Sequence, residues 1–92
     1  MKTNPPVKTL EAMLEQAERR GGEFVQLLSS SRQYRMSVHR MPVGTCIIVF
    51  RENKEVAQYS TVHGLEYEDA DWGFGDLLES IIDRRMRDGH GL

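Results

Sequence analysis

Along this chain the spacing of apolar positions passes from helical to alternating and back to helical. Leu10, Met13, Leu14 and Ala17 recur at helical spacing, with Glu11, Glu15, Glu18, Arg19 and Arg20 on the remaining surface. Pro5 and Pro6 suit a first helical turn, Asn4 or Thr9 can cap it, and Gly21-Gly22 ends it, so a helix is predicted over about 6–20. Phe24, Val25, Leu27 and Leu28 fit a strand or one further helical turn; Gly21-Gly22 before them and Ser29-Ser30-Ser31 after them favour a strand over about 23–28. Tyr34 to Arg40 alternates cleanly and predicts a half-buried strand over about 33–41.

The apolar run Cys46-Ile47-Ile48-Val49-Phe50, the polar reversal Glu52-Asn53-Lys54-Glu55 and the β-prone run that follows predict a hairpin of strands at about 45–51 and 56–62. An acidic connection, Glu66 to Asp71, leads to Trp72-Gly73-Phe74-Gly75 and a second helix within about 72–88. Asp76 with Glu79 gives its capping box, and Leu77, Leu78, Ile81, Ile82 and Met86 give its apolar stripe. Arg84, Arg85 and Arg87 suit the negative end of its dipole, and Gly89 stops it. The expected fold class is α+β: an antiparallel meander of three to four strands, with the N-terminal and C-terminal helices packed on one face.

Register decides which side chains meet a partner. A turn centred between Asn53 and Lys54 pairs Phe50 with Ala57 and Ile48 with Tyr59, and a turn through Pro42-Val43-Gly44 sets Val38 beside Ile48 and Met36 beside Phe50. That phase buries Ile48 and Phe50. It leaves Arg35, Ser37, His39, Met41, Ile47, Val49, Arg51, Gln58 and Ser60 on the opposite face. Exposing Ile47 and Val49 would forgo about 1.5–3 kcal/mol each, so a cover is expected, either from the chain itself or from a partner.

Charge changes this picture little. The formal net charge is −2, too small to argue for a nucleic-acid binder. Residues 1–62 hold nine Lys plus Arg against six Asp plus Glu, and residues 63–92 hold three against eight, a split that two halves attracting each other within one fold explain. The single cysteine, Cys46, excludes an internal disulfide and points to a reducing, cytoplasmic setting. No stretch reaches the length of a membrane span, and the amino end lacks a secretion-type apolar core.

Candidate chemistry is sparse. Glu66, Glu68, Asp69 and Asp71 meet the calcium-loop pattern only in part, and His39, His63 and His90 are far apart, so no metal and no cofactor is implied. In the phase above, Cys46 and His39 point to opposite faces and make no nucleophile–base pair. Nucleophile elbows and phosphate-cradling loops are missing from the sequence, and no enzyme is expected. The order helix, three strands, helix is that of the double-stranded-RNA-binding domain, but Asp69 to Asp76 is acidic where that domain presents a basic helix end to phosphate. The outer face also lacks the paired aromatics of sheet-based RNA binders.

The expected function is therefore a non-enzymatic protein-binding module. By analogy of size and architecture it resembles the small accessory or inhibitor proteins of phages and mobile elements, with a host protein or a second copy of itself as partner. The expected contact is Arg35, Ser37, His39, Ile47, Val49, Arg51 and Gln58, with Tyr67, Asp69, Asp71 and Trp72 as a second candidate surface. The alternative is a nucleic-acid-binding regulator that uses Arg35, His39 and Arg51.

Overall fold

A computed structural model describes residues 7–89. The cap and first-turn residues Asn4, Pro5 and Pro6, and also His90, lie outside the described residues. Helix α1 (Val7–Arg20) is followed by strands β1 (Phe24–Leu28), β2 (Tyr34–Met41), β3 (Gly44–Arg51), β4 (Lys54–Ser60) and β5 (Gly64–Glu68), then by helix α2 (Gly75–Arg87). The strands form one antiparallel sheet in the order β1-β2-β3-β4-β5, each beside its sequence neighbour. The expected α+β meander with a helix at each end is the observed fold. It runs one strand further than the pattern showed, because β5 was hidden in the acidic connection.

Both helices lie on one face. Leu10, Met13, Leu14 and Ala17 of α1 and Leu78, Ile81 and Ile82 of α2 are buried with Val25, Leu27, Tyr34, Met36, Val38, Ile47, Val49, Val56, Ala57 and Tyr59 of the sheet. Gly21, at φ +65°, ends α1 by returning its N–H to the Ala17 carbonyl at 3.2 Å. Arg40 completes that end. Its guanidinium donates to the carbonyls of Gly22 and, at 2.6 Å, of Ala17, which ties the helix to β2. At the far side, Arg84 pairs with Glu11 and Arg85 with Glu18, so α2 is clasped to α1 by charges on the two helices. The last-turn arginines thus do more than answer the dipole.

The phase of β3 is the opposite of the one expected. Val38 stands beside Ile47 and Met36 beside Val49 on one side, while Tyr59 stands beside Ile47 and Ala57 beside Val49 on the other. Ile47 and Val49 have no exposed surface, and Cys46, Ile48 and Phe50 face outward. The two turns explain the shift. The β3–β4 loop is Glu52-Asn53, with φ of 52° and 68°, one residue earlier than expected and matching a type I′ turn. The β2–β3 loop is Pro42-Val43 alone, with Met41 paired to Gly44. A shift of one residue moves every side chain of a strand to the other face. A bulge in β4 then lets Val56 and Ala57 both point into the core, since Phe50 pairs with Glu55 and Val49 with Ala57.

Helix α2 starts one residue before the predicted cap. Its N-cap is Phe74, without a side-chain cap, and the Glu68 carboxylate at the end of β5 accepts the Gly75 N–H at 2.7 Å instead. A Cβ on Gly75 would come within 2.6 Å of Leu65 Cδ2 and 2.8 Å of the Glu68 carboxylate, so a larger residue there would push aside the carboxylate that makes this contact. Among the described residues no helix is long and apolar enough to cross a membrane.

Candidate functional site

The candidate site is the sheet face that neither helix touches. Its layout follows from strand pairing, which places side chains in three rows across the strands. One row is Leu28, Arg35, Phe50 and Glu55; the next is Gln26, Ser37, Ile48, Gln58 and Tyr67; the third is Phe24, His39, Cys46 and Ser60. The outlying apolar side chains of this face, Met41 beyond the third row among them, are well exposed: Phe24 at 55%, Leu28 at 53%, Met41 at 52% and Tyr67 at 45%. Ile48, Phe50 and Cys46 form the central strip and are half-buried by their neighbours. A second bulge, at Glu66 of β5, brings its carboxylate to the Gln58 amide at 3.0 Å on this face.

Several side chains are positioned by their neighbours across the strands. The Arg35 guanidinium lies over the Phe50 ring at 4.1 Å, and the Phe24 and His39 rings sit 4.8 Å apart. His39 Nε2 also meets the Ser37 hydroxyl at 3.2 Å, which helps to bury Ser37. At one end, Met41, Val43 and Val62 border a shallow apolar recess of about 300 Å³ shared with Cys46, Gln58 and Ser60. The β2–β3 and β4–β5 turns close on each other there. Thr45 N–H donates to the Thr61 hydroxyl at 3.0 Å, and a Cβ on Gly44 would strike Thr61 and Val62.

Four of the predicted contact residues, Arg35, Ser37, His39 and Gln58, are brought together on this face. Three are not. Ile47 and Val49 are core, their places taken by Ile48 and Phe50, and Arg51 belongs to the other side, opposite buried Tyr34 and beside Trp72. The basic trio Arg35, His39 and Arg51 is therefore split between two faces. The outer face also carries the aromatics it was expected to lack, Phe24, Phe50 and Tyr67. Phe24 and Leu28 are absent from the expected contact because the strand over about 23–28 carries no expected facing. Its alternation around buried Val25 and Leu27 was the signal that could have placed them.

The second candidate surface does not hold as a whole. Trp72 is 3% exposed and packs edge-on against Phe74 at 5.6 Å, so it is core. Tyr67 belongs to the outer sheet face. Asp69 pairs with Lys54 at 3.1 Å, and these two with Asp71, Arg51 and Trp72 line an open cleft of about 290 Å³ whose charges partly answer one another. Each of Glu66, Glu68 and Asp69 thus has a structural task.

For catalysis, the observed register places His39 directly opposite Cys46 on the same face, contrary to expectation. The thiol is nonetheless poorly disposed to ionise. Burial pushes its pKa up, and the charges of Glu66 and Glu55 push it further, whereas a nucleophilic cysteine needs the reverse. No family model, no curated protein and no solved structure matches this chain.

Proposed function

We propose that this protein is a non-enzymatic protein-binding module whose contact surface is the outer sheet face. The observation that carries the reading is the half-buried strip Cys46, Ile48 and Phe50, which neither helix covers, flanked by exposed Phe24, Leu28, Met41 and Tyr67 and edged by both signs of charge. Aromatic and aliphatic centres with an arginine at the side are the composition of protein contacts. A cytoplasmic setting suits the free thiol, and an accessory or inhibitory role suits the size. The test is affinity capture from the source cell with the wild-type chain and with Ile48→Asp, both shown to be folded by circular dichroism. A discrete partner held by the first and lost by the second supports the reading, and an identical partner set for both overturns it.

A second reading has one observation in its favour: Phe24, Phe50 and Tyr67 offer rings on an open sheet, as single-strand binders do. Against it, Arg35 already lies on the Phe50 ring and His39 against Phe24, and Glu55 and Glu66 would repel phosphate. Salt-sensitive retention on heparin, abolished by Arg35→Glu, would favour this reading over the first.

A further inference from the structure

The charges of the outer face are arranged so that the face complements itself. Arg35 on β2 and Glu55 on β4 stand in the same row, one on each side of Phe50 on the central strand. Glu66 lies on the Glu55 side, so the Arg35 guanidinium flanks β3 on one hand and carboxylates flank it on the other. Two sheets stacked face to face about a two-fold axis parallel to β3 exchange left for right and keep each row at its own height. Arg35 of each copy then meets Glu55 of the other, and Ser37 meets Gln58. Phe50, Ile48 and Cys46 lie over their own counterparts. An axis perpendicular to the strands would instead set Arg35 over the second copy's His39 and Glu55 over its Ser60, so that neither charge meets an opposite one. Only the first arrangement satisfies both the apolar strip and the charges.

We infer that the occupant of the outer face is a second copy of this chain, bound in a two-fold sheet-on-sheet dimer with reciprocal Arg35–Glu55 pairs at either side of a Phe50–Ile48–Cys46 seam. The inference rests on the protein-binding reading and names its partner. The sheet is about 19 Å across and about 27 Å along its longest strands, roughly 500 Å² in projection. That is below the ~800 Å² per partner of a standard interface, which places this contact in the size class of weak, reversible ones.

Sedimentation velocity from about 5 µM to 1 mM reads this directly. The wild-type chain should pass from monomer to dimer. Arg35→Glu alone and Glu55→Arg alone should each weaken association at least about tenfold, because like charges then meet at both pairs. An equimolar mixture of these two variants should recover association close to wild type, since every contact in the mixed dimer is again of opposite sign. A short bis-maleimide should link Cys46 to Cys46 in the wild-type dimer and not in Ile48→Asp. A chain that stays monomeric throughout, or single variants whose mixture does not recover, overturns the dimer. If capture of another protein still depends on Ile48, the dimer fails alone and the face stands; if Ile48→Asp changes neither measurement, both readings fall.

Discussion

Two adjacent isoleucines carry the sharpest consequence of this structure. Ile47 is wholly buried between Val38 and Tyr59, and Ile48 lies on the open face between Ser37 and Gln58. Ile47→Asp places an unpaired carboxylate in the core, so it should abolish the cooperative thermal transition, while Ile48→Asp should leave the melting temperature within a few degrees of wild type. Glu52 is an exposed residue held at φ 52° in a turn that favours glycine or asparagine. Replacing it with glycine should raise stability by about 0.5–1 kcal/mol in urea denaturation. Tyr59 donates its hydroxyl proton to Asp83 at 3.1 Å; burial, that hydrogen bond and the carboxylate charge raise its pKa to about 12. The folded pKa exceeds the unfolded value of about 10. The stabilisation is thus complete below pH 10 and is lost as pH climbs towards 12. One of the three tyrosines should accordingly ionise late in an absorbance titration at 295 nm, and Tyr59→Phe should remove that late step.

At the scale of elements, β5 and α2 are joined by one contact that local sequence does not advertise. Removing the Glu68 carboxylate with Glu68→Gln should cost about 1 kcal/mol and fray the first turn of α2, visible as faster amide exchange at Gly75 and Asp76. The helices and β2 were legible because period and punctuation agree, and β1 through its Gly and Ser flanks alone: α1 gives way at Gly21, and Tyr34, Met36 and Val38 face inward as expected. Strand β3 was legible as a strand but not in phase. It is apolar on both faces, so pattern alone offers two equivalent choices, and the short loops Pro42-Val43 and Glu52-Asn53 decide. β5 escaped because its glutamates read as a solvated loop, yet charge along an edge strand is a usual guard against unwanted pairing. The site inherited the phase error. Arg35, Ser37, His39 and Gln58 lie on the outer face as expected, and Ile47, Val49 and Arg51 of β3 lie on the other.

At the scale of the whole molecule, the sheet divides the chain into a clasped side and an open one. The clasped side is held at its ends, where Arg84 and Arg85 of α2 reach Glu11 and Glu18 of α1. Every strand, by contrast, pairs with the strand next to it in sequence. Such an order lets the sheet assemble one hairpin after another with short loop closures, whereas the contact between the two helices must wait until nearly the full chain is in place. The clasp is therefore expected to close late, after the rate-limiting barrier. Arg85→Met should therefore hasten unfolding in stopped-flow measurements and leave the refolding rate almost unchanged, so that the lifetime of the native state, more than its speed of formation, depends on where the first and last helices meet.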